Sequence, residues 1–258
     1  MPIRLFPLWL QWIKVWNRSG MSGMLFWSIL IGILGGLGSA AFRQTEFEIR
    51  WLASGSHDDI VTIAEGLSPW LRIAVPTLGG LLAGFFLWIS HQGGRTQDYL
   101  ESIRLGDGVL PIKSNIARLF SSITSIASGA SIGREGGMVQ LSALLASSFG
   151  RLLHPSVTQR RLMIACGAAA GLSSAYNTPI SGALFIAEIV VGTLAIEVLG
   201  PLFISSLSAT VVMHHWIGMR PIFDLPDAAK DIDMDLSHVA LLGVVAGVLA
   251  PALLVFLG

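Results

Sequence analysis

Long stretches without charge constrain this chain more than any other feature of its sequence. Residues 24–42, 73–90 and 239–258 contain no Asp, Glu, Lys or Arg, and 198–213 forms a shorter uncharged run. A membrane-spanning helix needs about 20 apolar residues. Only 12% of the residues are charged, whereas soluble domains carry about 25%. We therefore predict an all-α polytopic membrane protein.

The ends of these runs predict how the chain is oriented. Residues 1–20 carry three basic side chains and no acid, with apolar residues at helical spacing, which predicts a cytoplasmic amphipathic interfacial helix. Lys14 interrupts its apolar stretch and argues against a signal peptide. Basic residues favour 91–118 and 151–161 inside the cell, whereas acids favour 43–72 and 221–236 outside. Residues 21–258 are then the transmembrane domain.

Other functional classes have little support in the composition. Sixteen basic and sixteen acidic residues cancel, so no net charge attracts nucleic acid. Cys166 is the only cysteine, which excludes an intramolecular disulfide. Because no cysteine and histidine cluster has metal-ligand spacing, we expect neither a metal nor a cofactor.

One charged pair, Arg134 and Glu135, stands alone between uncharged residues 119–133 and 136–150. Fifteen helical residues cover about 22 Å, and the hydrocarbon core is about 30 Å thick. We therefore predict a re-entrant turn at 133–137 that lies within the membrane, where an ionisable residue suggests function. The alternative is a structural Arg–Glu ion pair that pins the hairpin.

Two further breaks accompany this turn. The sequence YNTP at 176–179 interrupts an uncharged run and predicts a new helix from Pro179 to about Glu188. Gly106 and Gly108 flank Asp107, and Pro111 favours another helix start. The N-termini of broken helices within a membrane attract anions through free amides and the helix dipole.

Three motifs together resemble the CLC family of chloride channels and chloride/proton exchangers, most closely its bacterial ClcB-type branch. GREGGMVQ at 133–140 is similar to the family's GREGPxVQ, and CGAAAGLSSAYNTPISGALFIAE at 166–188 to its GAAAGLxxAFNAPLxGxLFxxE. GDGVLP at 106–111 falls where the family has GSGIP. The resemblance covers about residues 100–190 and implies a CLC-type fold of tilted, broken and re-entrant helices, here its N-terminal inverted-repeat half.

The resemblance implies that chloride permeates and that Glu135 is the gate. The ionised carboxylate would occupy an anion site, and the protonated or displaced side chain would leave the path open. It also implies a homodimer in the bacterial inner membrane. The chloride-binding backbone or loop positions would be Gly106, Asp107, Gly108, Gly133, Arg134, Gly136 and Gly137.

Three departures from the family pattern bear on activity. Asp107 stands at or near an ion-coordinating serine; we expect it either to cap the following helix, which we favour, or to mark a rearranged loop. Gly137 replaces a proline and should loosen the helix start. Ile189, which follows Glu188, replaces the second acid of exchangers and cannot relay a proton. This favours a pH- or voltage-sensitive channel with little or no proton coupling over an antiporter.

The chain's length leaves one further alternative open. Family members exceed this chain's 258 residues and have two repeat halves, so we expect the domain to be incomplete at its C-terminus. A truncated, non-conducting relative is then an alternative to a channel. A membrane-embedded enzyme is disfavoured, because no nucleophile or metal group in the sequence is predicted to converge on Glu135.

Overall fold

The regular elements in this computed structural model are helices, within the described residues 21–55, 60–92, 97–218 and 236–257. The predicted interfacial helix at 1–20 and nearly all of segment 221–236 lie outside them. π-helical turns at Ile186–Val191 directly follow the helix Pro179–Phe185. The α-helices are α1 (Met21–Ser54), α2 (Ile60–Gly66), α3 (Pro69–Gln92), α4 (Tyr99–Arg104), α5 (Ile112–Ala127), α6 (Glu135–Leu153), α7 (Val157–Tyr176), α8 (Pro179–Phe185), α9 (Ile196–Trp216) and α10 (Leu236–Leu257).

Three described helices are long and apolar enough to cross a membrane. They contain the stretches Ser22–Leu52, Pro69–Gln92 and Ile196–Trp216, so the shorter uncharged run at 198–213 belongs to a full-length helix. The chain divides into two compact units, Met1–Met219 and Arg220–Gly258. Within the second unit, α10 contains a shorter apolar stretch, Ala240–Leu253, where the sequence predicted a full span.

Helices α1, α6, α7 and α9 pack together and form the core of the first unit. Helix α7 lies deepest, and its side chains from Met163 to Ala170 are almost completely buried. The residues there are mostly small, so the neighbouring backbones approach closely. A Cβ added at Gly171 would lie 2.7 Å from the Cα of Val139 on α6.

The glycines of α1 allow close helix packing. A Cβ at Gly32 would lie 2.3 Å from the Ser205 carbonyl oxygen of α9, and one at Gly35 would lie 2.7 Å from the Ala170 side chain of α7. These positions therefore bring α1 against two neighbours at once.

The glycines of α3 do not all have such a role. Gly79 faces Ser128, but added Cβ atoms at Gly80 and Gly84 would meet nothing within 4 Å. Helix α3 packs against α5 and turns most of its apolar side chains outward. Two of its three glycines therefore lie away from the packed face, and its exposed leucines and aromatic residues suit contact with lipid.

The predicted turn at 133–137 lies earlier in the chain. Helix α5 ends at Ala127, and Gly129 then adopts a left-handed conformation with φ +100°. This is a common way for a helix to end, because glycine has no Cβ penalty there. Residues 128–134 form the connection, and Gly136 and Gly137 belong to α6. Both arms are short, with 16 residues in α5 and 19 in α6.

The predicted break at 176–179 is confirmed. Helix α7 ends at Tyr176, Asn177 adopts a left-handed conformation with φ 57°, and Pro179 is the first residue of α8. The helix predicted from Pro179 to about Glu188 differs in type and length. It is α-helical to Phe185 and continues as π-helical turns to Val191.

Candidate functional site

The three predicted helix starts share one feature, which is that no side chain caps them. Helices α5, α6 and α8 begin where the sequence indicated, and their N-cap residues are Pro111, Arg134 and Thr178. None of these three side chains accepts a capping hydrogen bond. Helix α7, by contrast, has a complete capping box formed by Ser156 and Gln159. First-turn amides have no partner within their own helix, so helix starts without a side-chain cap are candidate anion sites.

Glu135 is the first residue of α6, and its carboxylate folds back over Gly133. A Cβ added at Gly133 would lie 1.9 Å from Oε1 of Glu135, so the carboxylate occupies the space that a side chain would need. Tyr176, the last residue of α7, lies near the same carboxylate. The predicted gate is therefore half-buried beside the free amides of its own helix.

Arg134 pairs with a residue that the sequence analysis missed. Its guanidinium lies 3.9 Å from the carboxylate of Glu46 on α1, which is also 3.9 Å from Arg50. Glu46 is only 2% exposed. Arg134 therefore forms an ion pair with Glu46 on α1, and not with Glu135 as the alternative interpretation expected. The spacing of Glu46 and Arg50, four residues apart, was the available signal.

The two glycines that follow Glu135 have different surroundings. A Cβ at Gly136 would meet nothing within 4 Å, whereas one at Gly137 would lie 2.4 Å from the Phe42 ring. Gly137 lies within α6, which is helical from Glu135 onward, and its expected loosening of the helix start stays a prediction. The close approach of Phe42 explains why no side chain fits at 137.

The loop 106–111 is held by arginines from the α6–α7 region. Arg161 Nε donates to the Gly106 carbonyl at 2.9 Å, and Arg151 donates to the Leu110 carbonyl. Gly108 is left-handed with φ +68°, and an added Cβ would lie 2.7 Å from that of Arg160. The loop thus lies close to this basic region, where only glycine fits at position 108.

Two predicted loop residues are placed differently from expectation. Asp107 is exposed, and the expectation that it caps α5 was wrong, because Pro111, four residues later, is the N-cap. The Gly106 amide donates to the Glu101 carbonyl at 2.9 Å and so helps to end α4. In this structure the amide is therefore engaged within the protein.

One face of α6 holds this loop and the start of α5. Gln140 donates to Asn115 Oδ1, and Asn115 Nδ2 donates to the Pro111 carbonyl at 2.7 Å. Ser147 Oγ accepts from the Leu110 amide at 2.8 Å. Gln140, Ser147 and Arg151 are seven and four residues apart and so share a helix face. The shared helix face could have been predicted from that spacing. The contact partners in loop 106–111 and at the start of α5 could not.

Glu188 and Ile189 lie in the π-helical turns, and both are exposed. Arg104 of α4 donates to the carbonyls of Ile189 and Val190. The π-helical segment is therefore tied to the element that precedes loop 106–111. No group of three or more possible metal ligands occurs among the described residues.

Comparison with known proteins agrees with this arrangement. The family model described as "Voltage gated chloride channel" (Voltage_CLC) matches residues 79–257. The chain belongs to the CLC family. A putative chloride channel protein, ClcB-like, from Ralstonia nicotianae is 42% identical over 234 residues. The voltage-gated ClC-type chloride channel ClcB of Salmonella dublin is 38% identical over 232 residues.

These alignments cover 87% of this chain but only 54% and 55% of the two relatives. The chain thus spans about half the length of the curated relatives that it matches, and the expected correspondence to the N-terminal half of the family is confirmed.

Solved structures confirm the CLC-type fold. A slow cyanobacterial Cl⁻/H⁺ antiporter matches with a TM-score of 0.67 at 20% identity, covering 88% of this chain and 54% of the other. A CLC-type fluoride/proton antiporter matches with a TM-score of 0.64 at 22% identity and the same coverage. At these identities the likeness concerns the fold alone.

Proposed function

We propose that this chain forms the N-terminal half of a chloride pathway gated by Glu135. The main support for this proposal is the position of the Glu135 carboxylate, which lies over Gly133 at a helix start without a side-chain cap. A carboxylate is itself an anion, so it competes with chloride for the same amides. Protonation or displacement by chloride moves it away and opens the path.

Chloride is held mainly by backbone groups at the ends of broken helices. At the turn, Gly133, Arg134, Gly136 and Gly137 surround the start of α6, whose first amides lack intrahelical partners. Loop 106–111 contributes a second group of positions, from Gly106 to Gly108, where the Gly106 amide must first leave the Glu101 carbonyl. The exposed Asp107 is the least suited of these to an anion.

We further propose that chloride movement is coupled weakly or not at all to protons. Ile189 cannot carry a proton, and the neighbouring acid Glu188 is exposed. The ClcB relatives are named as chloride channels, in line with this proposal. We place the complete protein in the bacterial inner membrane as a homodimer, with the N-terminus in the cytoplasm, and we propose no enzymatic activity.

The test is chloride efflux from liposomes that contain the complete gene product carrying this chain. With Glu135→Gln, we expect faster efflux at neutral pH and loss of pH dependence, because glutamine cannot ionise. Glu197→Gln removes an exposed acid at the start of α9 and should behave as wild type. If efflux still depends on pH in the Glu135→Gln variant, Glu135 is not the gate.

A proton gradient distinguishes the two transport modes. We expect a chloride gradient to drive no uphill proton movement in the wild-type protein. Stoichiometric uphill proton movement would instead assign the protein to the antiporters and overturn the uncoupled proposal.

A further inference from the structure

A cavity with two arginines in its wall lies between helix ends on the side that the charge bias predicts to face out of the cell. It has a volume of about 190 Å³ and is bounded by the C-terminal ends of α1 and α5, the N-terminal end of α3, and α2. Among the described residues that line it, Arg50 and Arg72 are charged, Ser128 is polar and the rest are apolar. The cavity therefore combines positive charge with an apolar wall.

An apolar groove continues from this cavity along α3 and α5. A second cavity of about 220 Å³ shares Val75, Ala127 and Ser128 with the first, and its described lining contains no charged residue. It reaches Leu82, seven residues beyond Val75 on α3, which corresponds to about 10 Å along the helix axis. Leu78 and Leu82 are 60% and 52% exposed, so the groove opens outward. It thus leads from the two arginines along the surface of α3 that suits contact with lipid.

Two arginines near the cavity share one acid. The Glu46 carboxylate lies 3.9 Å from Arg50 and 3.9 Å from Arg134, so it neutralises at most one of these two guanidinium groups. The side chain of Arg50 is only 14% exposed, and a buried cation is stabilised by anionic partners. Arg72 donates to two backbone carbonyls near the end of α2, at 2.7 and 2.9 Å. Because a guanidinium carries five N–H donors, both lining arginines can bind a phosphate and keep these contacts.

We propose that the cavity and the groove bind an anionic phospholipid of the outer leaflet. The phosphate lies between Arg50 and Arg72, because guanidinium groups bind phosphate oxygens through paired N–H donors. One acyl chain lies in the groove between α3 and α5, where it removes apolar surface from water. The groove favours a lipid over a small anion, and the two arginines favour an anionic head group over a zwitterionic one.

This site is separate from the proposed chloride path. None of the residues that line the cavity or the groove belongs to the proposed chloride-binding positions at 106–108 and 133–137. Lipid binding can therefore be measured directly, without reference to chloride movement.

The test is thermal unfolding of the complete gene product in detergent, measured as phosphatidylglycerol is added. A ligand that binds the folded protein raises the unfolding temperature, and the half-saturating concentration reports its affinity. We expect the temperature to rise with phosphatidylglycerol, and to rise less with phosphatidylcholine of the same chains or with inorganic phosphate. Arg72→Gln should raise the half-saturating phosphatidylglycerol concentration by about tenfold, the usual effect of losing one charge-assisted hydrogen bond.

Two further variants distinguish this site from a general attraction between lipid and protein. Lys113→Gln removes an exposed positive charge at the opposite end of α5 and should leave the half-saturating concentration unchanged. Ala64→Trp places a large side chain in the cavity from an exposed position on α2, and should weaken phosphatidylglycerol binding without removing a charge. Arg50 stays intact in these variants, because its loss would also remove a partner of the buried Glu46.

Several outcomes would overturn the lipid site. Equal stabilisation by inorganic phosphate would mean that the apolar groove contributes nothing, and equal stabilisation by phosphatidylcholine would mean that the arginines do not select the head group. The absence of stabilisation by phosphatidylglycerol would likewise contradict the proposal, as when another segment of the complete protein occupies the groove. So would a loss of affinity in Lys113→Gln that matches the loss in Arg72→Gln. The gate is tested separately by Glu135→Gln and stands whatever these results are.

Discussion

Arg134 and Glu135 are neighbours in the chain but contact different helices. Consecutive side chains around a helix start point in different directions. Arg134 reaches Glu46 on α1, and Glu135 turns toward Tyr176 at the end of α7. Arg134 therefore connects the turn to α1, whereas Glu135 forms no ion pair among the described residues.

At this scale, Gly133→Ala tests whether the carboxylate needs the space that it occupies. The new methyl group would overlap the Glu135 oxygens, which belong to a flexible side chain and can swing aside. We expect normal folding, faster chloride efflux at neutral pH and a weaker pH dependence.

Gly80→Ala on α3 is the matched control, because a Cβ there meets nothing within 4 Å and Gly80 lies outside the proposed anion-binding positions. Its efflux should remain near that of wild type. Equal efflux in the two alanine variants would show that the carboxylate does not need the space over Gly133.

Among the elements, α6 links the two predicted anion-binding regions. Its first residue is Glu135, and twelve residues later Ser147 accepts the Leu110 amide of loop 106–111. This separation corresponds to about 18 Å along the helix axis. A rigid helix therefore sets the distance between the gate and the loop.

Ser147→Ala should destabilise the protein at this contact. Leu110 is fully buried, so its amide would lose its partner without gaining water. Such a loss costs about 1–3 kcal/mol. Thermal unfolding of the detergent-solubilised protein should occur at a lower temperature.

Ser148→Ala provides the comparison. The Ser148 hydroxyl donates to the Leu144 carbonyl of its own helix at 2.8 Å, and that carbonyl also belongs to the helical hydrogen-bond pattern. We expect a smaller change in unfolding temperature than for Ser147→Ala. Indistinguishable values would mean that the Leu110 contact contributes nothing specific.

For the whole molecule, the charge bias predicts orientation in the membrane. Glu65 lies in the segment predicted outside, and Asp107 lies in the one predicted inside; both are exposed. Cys166 is completely buried, so the native thiol should not compete for a labelling reagent.

A membrane-impermeant maleimide should therefore label Glu65→Cys in intact cells but label Asp107→Cys only after permeabilisation. The unmodified chain, with its buried Cys166, is the background control. The reverse labelling pattern would invert the proposed orientation.

Local signals in the sequence predicted much of this molecule. Uncharged runs indicated the long helices, and Pro111 and Pro179 marked helix starts, because a proline restricts its own backbone and that of its neighbour. The turn before Glu135 was misplaced because Gly129, and not the later glycines, ends α5. Asp107 was misassigned because capping depends on where the helix begins, which a single sequence defines only approximately.

Composition and the positions of the prolines specify an all-helical membrane chain with interrupted helices and an acid, Glu135, at a helix start. Charge content, apolar length and backbone restriction are local properties, so they can be read along the chain. The folded chain, by contrast, brings Arg134 to Glu46 and places Tyr176 near Glu135. These partners are far apart in sequence, and the packing of α1, α6 and α7 brings them together.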